Sequence, residues 1–434
     1  MKVGIVGVGY VGLVSGACFS DFGHHVVCLD KDDSKIQELN SGNIPIFEPG
    51  LYDVVKRNID ANRLKFSTDL ALHIKEFDVI FVAVGTPARR EDGNADMSSI
   101  FEVVNEIKDY ISYDQLIVIK STVPVGTNRI IYNMLNDRGD ISKYNVASNP
   151  EFLREGSAIE DFMKPDRVVI GVRDERSKDI MMSVYKSLFL RDFPIVFTDP
   201  QSAETIKYAS NAFLATKVSF INEISFFCEK VEADIKEVSK GLGLDKRIGN
   251  KFLHAGPGYG GSCFPKDTAA LVSMGLENKA PLTIVEATIN ANQLTKKRMI
   301  DKIRKVYNGA LYDKVITVLG ITFKPNTDDV RDAPSLTIIP ALQRDGAKIR
   351  AYDPQGKKEA CKLISDIDWF EDAYSAAAGS DMILILTEWN EFRALNLKKI
   401  SSLMKNSKLV DLRNIYSKKE ALDCGFDLYV GIGR

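Results

Sequence analysis

The segment 2–12, KVGIVGVGYVG, constrains the fold of this chain more than any other stretch. An apolar strand runs into Gly7, Gly9 and Gly12 at the G-x-G-x-x-G spacing. Gly7 permits a tight turn, Gly9 lets a pyrophosphate approach the backbone, and Gly12 lets the following helix pack on the strand. The unsatisfied N–H groups at that helix N-terminus suit a phosphate. Glycine turns between strand and helix are common, so the spacing gains weight only from its context. HHVVCLD reads as the second strand and ends at Asp30, eighteen residues past Gly12. A carboxylate there accepts hydrogen bonds from an adenosine ribose and repels a 2′-phosphate, so NAD is expected over NADP. Lys35, in the next helix, is read either as a ribose or phosphate contact or as an ordinary exposed lysine.

Strand and helix patterns alternate through the first ~200 residues, which predicts a largely parallel, doubly wound sheet. Expected strands include FDVIFVAVGTP, QLIVIKSTVP, YNVASNPE, RVVIGV and FPIVFTD. Thr86, Thr122 and Glu151 then fall at the carboxyl ends of strands, where ligands of such sheets bind. Taken singly, each fits a turn or cap equally well. From residue 202 to about 242 the pattern becomes one long helix without Gly or Pro before Gly241, apolar on more than one stripe. Lys207 and Asn211 lie four apart on it and share a face, ordinarily the mark of a solvated pair.

Past residue 312 a second α/β unit follows, with KVITVLGITFKP, KIRAYDP, DMILILTEW and SKLVDLRN as strands and PSLTIIPALQRDGA as a helix. It lacks the glycine fingerprint, so the nucleotide portion of a substrate is its expected ligand. TFKPNTDDVRDAPS sets Lys324 and Arg331 before a helix N-terminus, a good place for phosphates; a salt-bridged loop is the alternative. The expectation is therefore α/β, with two Rossmann-like doubly wound domains joined by a long central helix. The expected division is 1–200 for the NAD-binding domain, 201–300 for a central helical and catalytic-cysteine domain, and 301–434 for the second Rossmann-like domain.

Chemistry concentrates in residues 252–267, FLHAGPGYGGSCFPKD. Glycines around Cys263 let backbone approach a ligand, and Lys266 and Asp267 set a charge pair beside the thiol. Most cysteines are simply buried. Here the glycines, Pro265 and the charges point instead to a thiolate nucleophile.

A length of 434 residues exceeds one ordinary core, so two or three domains are expected. A net charge of −2 with interspersed signs carries no nucleic-acid or membrane footprint. No apolar run approaches the ~20 residues of a membrane span, and because Met1 leads directly into the first strand no signal peptide is expected. Six cysteines without paired spacing fit a reduced, cytoplasmic protein, and four histidines form no ligand pattern, so no metal is expected.

Taken together, the fingerprint, GTP at 85–87, STVPVGT at 121–127, NPEFLREG at 149–156, ETIKYASNAFLATKVSFINE, the cysteine loop and FKPNTDDVRDAPS resemble the UDP-glucose/GDP-mannose dehydrogenase family along essentially the whole chain. The resemblance implies that a sugar nucleotide's primary alcohol is oxidised twice, to a carboxylate, with two NAD and one water. It favours UDP-glucose as substrate over GDP-mannose or a UDP-N-acetylhexosamine. A non-catalytic sugar-nucleotide or NAD-binding protein is a further alternative, which the joint presence of Cys263, Lys207, Asn211 and Asp267 counts against. By resemblance Cys263 is the nucleophile, flanked by Lys207, Asn211 and Asp267, with Glu151 near the reacting carbon and Thr122 positioning the water or base. Val11, Asp30, Lys35, Thr86, Thr122, Glu155, Lys266 and Arg331 match NAD-contacting positions. Glu151, Phe152, Leu153, Arg154, Glu155, Lys207, Asn211, Phe252, Leu253, His254, Ala255, Gly256, Gly260 and Lys324 match substrate contacts. Arg247 matches an arginine that reaches the neighbouring subunit's substrate, implying a homodimer or higher oligomer. One departure is TPARREDGNAD, where Ala88, Arg89 and Arg90 replace the further proline and small residues frequent in the family.

Overall fold

The computed structural model describes residues 1–87, 89, 93–136, 144–191 and 193–434. The chain divides into two compact units, Met1–Ser210 and Asn211–Arg434.

Among the described residues of the first unit, eight strands form one sheet: β1 (Lys2–Val6), β2 (His25–Leu29), β3 (Leu64–Ser67), β4 (Val79–Val82), β5 (Leu116–Ile119), β6 (Asn145–Ser148), β7 (Val168–Gly171) and β8 (Ile195–Thr198). Their order is β3-β2-β1-β4-β5-β6-β7-β8, and only the β6–β7 pairing is antiparallel. Strand β4 shows why these strands are legible in sequence. Val79 and Phe81 pack into one core with Phe19 and Phe162, while Ile80 and Val82 pack into a second core with Val104 and Ile131. A strand buried on both faces reads as an unbroken apolar run. The edge strand β3 alternates buried and exposed residues over four positions and is not among the expected strands.

The helix Pro200–Val231 runs across the boundary at Ser210. It is shorter than the sequence pattern predicts. Asp199 accepts from the Ser202 N–H at 2.9 Å, and Pro200 occupies the first turn, where no N–H is needed. At the far end Glu232 turns left-handed, with φ of 60°, and the Ala233 N–H returns to the Cys228 carbonyl at 3.0 Å. Asp234 then caps a separate helix, Ile235–Leu244, by accepting from Lys236 N–H. The break uses a left-handed residue that carries a Cβ, so neither Gly nor Pro announces it.

The second unit continues with helices Phe264–Glu277 and Thr283–Lys305. Among its described residues six strands pair in parallel: β9 (Val315–Leu319), β10 (Lys348–Tyr352), β11 (Ile367–Trp369), β12 (Met382–Ile385), β13 (Lys408–Asp411) and β14 (Leu428–Val430). The order is β11-β10-β9-β12-β13-β14. Again the central strand serves two cores, Met382 and Leu384 on one side, Ile383 and Ile385 on the other. The three-residue strands β11 and β14 are too short to carry a period and escape the sequence reading. The expected class, two Rossmann-like sheets and a long central helix, is the observed one. Among the described residues no helix is long and apolar enough to cross a membrane.

Candidate active site

The three fingerprint glycines have three different surroundings. Gly7 has φ of +99° and donates its N–H to the Leu29 carbonyl at 2.7 Å. A Cβ on Gly12 would fall 1.8 Å from the Gly7 carbonyl oxygen, so the helix Tyr10–Asp21 rests directly on the turn. Around Gly9, by contrast, a Cβ would meet nothing within 4 Å, and no side chain caps the helix. The amides of its first turn, which includes half-buried Val11, are left for an anion. This cradle fits a dinucleotide's pyrophosphate. Asp30, at the end of β2, accepts from the Val8 N–H at 2.7 Å and pairs with the Lys35 ammonium at 3.1 Å. Lys35 thus leans on Asp30 rather than standing in solvent. A carboxylate has about four acceptor sites, so a ribose hydroxyl can still be accommodated.

At the ends of β4 and β5, Thr86 Oγ1 donates to the Thr122 carbonyl at 2.8 Å, and Ser121 Oγ donates to the Val84 carbonyl at 2.7 Å. The two threonines singled out in sequence are therefore laced together. Beyond β6, Glu151 pairs with the Lys207 ammonium at 3.0 Å, both side chains buried. The face of Phe152 carries the Lys207 ammonium at 5.3 Å and the Arg167 guanidinium at 3.6 Å from its centre. Leu153 donates its N–H to Glu151, and exposed Arg154 forks onto Asp161. Glu155 is half-buried.

Two buried groups here escape the sequence reading. Glu204, one turn before Lys207, accepts from the N–H groups of Gly126 at 2.6 Å and Asn128 at 2.8 Å, and burial pushes its carboxyl up to about 7. Lys120, just past β5, donates to Asn149 Oδ1 at 3.1 Å and sits about equidistant from the Phe81 and Phe162 rings. Burial lowers its ammonium to about 8, against the pull of Glu151. A lysine closing the run LIVIK was the available signal. A small pocket is lined by Ser121, Thr122, Ser148, Pro150, Glu204 and Lys207.

In the second unit half-buried Cys263 occupies the N-cap position of Phe264–Glu277, with Pro265 in the first turn and Ser262 Oγ 3.5 Å from the sulfur. A helix N-terminus favours negative charge on such a sulfur. One turn on, the Asp267 N–H reaches the Cys263 carbonyl at 2.8 Å. The Asp267 carboxylate is buried and accepts from Asn211 Nδ2 at 2.6 Å and the Lys266 ammonium at 2.5 Å. Residues spread from 211 to 267 thus converge on one carboxylate.

The loop before Cys263 is held from several sides. Asn222 Oδ1 accepts from the Gly256 N–H at 2.8 Å, and Asn292 both accepts from and donates to the Tyr259 backbone. A Cβ on Gly260 would lie 2.5 Å from the Asp332 carbonyl oxygen, and Gly261 N–H donates to the Arg331 carbonyl at 2.7 Å. These glycines serve loop packing as well as any ligand. Asn222 lies within the segment 204–223 quoted above without being singled out there, and Asn292 lies in no quoted motif. Phe252 is left-handed, with φ of 65°; Leu253 and Gly256 are buried, Ala255 is half-buried and His254 is exposed. Lys324 is half-buried, its ammonium 5.3 Å from the Phe323 ring centre. Arg331 forks onto Asp329, with two contacts of 2.8 Å. Arg247 lies on the surface, 89% exposed, beside Asp245. Ala88 and Arg90 fall outside the described residues. Among the described residues no group of three His, Cys, Asp or Glu is placed to hold a metal.

Residues 1–189 match the NAD binding domain of the UDP-glucose/GDP-mannose dehydrogenase family, 201–294 its central domain and 317–418 its UDP binding domain. A UDP-glucose 6-dehydrogenase of Rhizobium meliloti (strain 1021) is 51% identical over 436 residues, covering 100% of each chain. UDP-glucose 6-dehydrogenase TuaD of Bacillus subtilis (strain 168) is 44% identical, covering 100% of this chain and 93% of its own. A solved UDP-glucose dehydrogenase from the archaeon Pyrobaculum islandicum aligns with a TM-score of 0.90 at 35% identity, covering 99% of this chain and 97% of that one.

Proposed function

Because the chain belongs to the UDP-glucose/GDP-mannose dehydrogenase family, we propose that it oxidises UDP-glucose to UDP-glucuronate, consuming two NAD and one water. The observation that carries the reading is the Asp267–Asn211–Lys266 cluster one helical turn from Cys263. A purely binding protein has no use for a thiol beside a buried, charge-paired carboxylate. NAD held against the Gly7–Gly12 turn and Asp30 would supply the hydride acceptor for each of the two oxidations. For the first, a carboxylate, Glu151 or Asp267, directly or through water, takes the hydroxyl proton. Cys263 then attacks the aldehyde carbon, forming a C–S bond and a thiohemiacetal that cannot escape. Loss of the second hydride leaves a thioester on Cys263. Asn211 and Lys207 donate to the oxyanion of each tetrahedral stage, a contribution of about 10²–10³ in turnover per donor. Water activated by one of the two carboxylates displaces the sulfur, restoring the thiolate and releasing the uronate.

The test is reduction of NAD with a panel of sugar nucleotides. UDP-glucose should be turned over best, with two NADH per uronate and no free aldehyde; a better substrate in the panel would overturn the sugar assignment.

The three-part division at about residues 200 and 300 rests on the matched family domains. The unpaired cysteines favour a reducing, cytoplasmic setting. For assembly we propose a homodimer or higher oligomer. Phe213, Phe220 and Phe227 recur every seven residues on the long helix and are 66%, 49% and 63% exposed. A stripe of that kind suits a second copy of the same helix. Phe220→Glu should shift sedimentation toward the monomer.

A further inference from the structure

Glu48 lies between the helices Asp33–Asn40 and Leu51–Asp60, is 6% exposed, and belongs to none of the sequence motifs that mark the two ligand sites. Its carboxylate accepts three hydrogen bonds from two distant parts of the first unit. Oε1 accepts from the Ala158 N–H at 2.7 Å, and Oε2 from the Gly156 N–H at 2.6 Å. The same Oε2 accepts from the Tyr10 hydroxyl. Burying a carboxylate is costly unless such donors surround it. The local turn does not require this one, since the Ser157 N–H already closes it onto the Arg154 carbonyl at 2.9 Å. What Glu48 adds is a link between segments. Tyr10 follows Gly9 and opens the helix whose amides face the dinucleotide cradle. Gly156 follows Glu155 and ends the stretch carrying Glu151 to Glu155. Burial, reinforced by Glu48, drives the Tyr10 phenol far above its ordinary range, so it stays a donor throughout the working pH range.

We infer that Glu48 is a positioning residue that ties the first turn of the dinucleotide helix to the sugar-nucleotide segment 151–156, so that each ligand's site depends on the same carboxylate. The sugar half of this inference rests on the proposed oxidation of UDP-glucose. With both sites hung on one group, disturbing it should impair both ligands, whereas a group serving only the fold would lower stability and leave the affinities of the folded enzyme alone.

The test is Glu48→Gln in the full chain, with Tyr10→Phe as the milder variant that removes one hydroxyl. Losing hydrogen bonds to a buried charged group should raise KM for NAD and for UDP-glucose in Glu48→Gln by about tenfold each, with kcat changing less. Tyr10→Phe should move both in the same direction by a smaller factor, and the double variant should be no worse than Glu48→Gln, because the two groups act as a unit. Unchanged KM values, a rise in one alone, or a loss of melting temperature with normal KM values would each overturn the inference. Should Glu48→Gln fail to fold, Tyr10→Phe is judged by the same criteria. NADH titration reads the cofactor half without any sugar nucleotide, so a wild type that oxidises no sugar would refute the proposed function while normal NADH affinity in Glu48→Gln would refute this tie.

Discussion

Each unit places its first strand in the middle of its sheet, and counting strands from there gives the same order, 3-2-1-4-5-6, with β7 and β8 added to the first unit's sheet. The likeness extends to single hydrogen bonds. Gly7 N–H donates to the last residue of β2, Leu29, at 2.7 Å; Gly320 N–H donates to the last residue of β10, Tyr352, at 2.9 Å. Each second strand is followed by an aspartate, Asp30 or Asp353, that reaches back to the first turn. The two units diverge just past the glycine. In the first unit the chain enters its helix at Tyr10, leaving Gly9 open and the Asp30 side chain 12% exposed. In the second, residues 321–334 intervene before the helix Ser335–Arg344. There Asp353 accepts from Ile321, Thr322, Gln355 and Gly356 N–H groups and is buried. One aspartate remains available to a ligand; the other is consumed in folding a loop. A shared topology therefore does not imply a shared ligand, because the first turn decides it.

The hardest blow to this division of labour would come from Cys263→Ser. If the covalent chemistry belongs to the second unit and the dinucleotide to the first, turnover should fall about 10³-fold or more, as when nucleophiles are removed elsewhere. NADH affinity should stay near that of the wild type, and mass spectrometry of quenched reactions should show a stalled ester or nothing. Near-normal oxidation, or loss of NADH binding, would break the comparison.

A smaller effect separates the two aspartates. Asp353→Ala strands several buried N–H groups, so it should destabilise the protein by about 2–4 kcal/mol, read as a lower melting temperature. Asp30→Ala should cost less stability and instead narrow the preference for NAD over NADP, measured as a ratio of kcat/KM values. The reverse pattern would mean that the two carboxylates have been assigned the wrong way round.

The smallest effect concerns Lys120, whose ammonium lies at about 8 when folded against 10.5 when free. Between those two pH values the unfolded chain holds the extra proton, so stability rises with pH across that window. Below it the full penalty of the buried cation applies. Lys120→Met removes the titration. Relative to wild type, its melting temperature should be highest below pH 8 and decline by about a few degrees toward pH 10. A difference that stays constant with pH would show that Lys120 is not a destabilised buried cation.

Sequence alone reached the central strands, the glycine turn and the Cys263 segment, since each is written in contiguous residues: unbroken apolar runs, fixed glycine spacing, a thiol among glycines. It did not reach Glu48, Lys120, Glu204, Asn222 or Asn292. Lys120 closes an apolar run and Glu204 and Asn222 lie inside a quoted segment, but nothing local says what any of the five meets, and each acts on backbone or side chains distant in the chain. The long helix was drawn too far for a related reason. Glu232 breaks it by adopting a left-handed conformation that no local residue type requires, closed by the Ala233 N–H on the Cys228 carbonyl.

What the sequence determined by itself is therefore the fold class and the dinucleotide turn, and it singled out the cysteine proposed as nucleophile, because periodicity, glycine's freedom of φ and thiol chemistry are local properties. What only the tertiary structure decided is which polar groups meet: Glu151 with Lys207, Asp267 with Asn211 and Lys266, Glu48 with Tyr10 and Gly156. Those pairings depend on burial. Desolvation makes an unpartnered charge expensive, and the donors that satisfy it are assembled only when distant strands and helices pack.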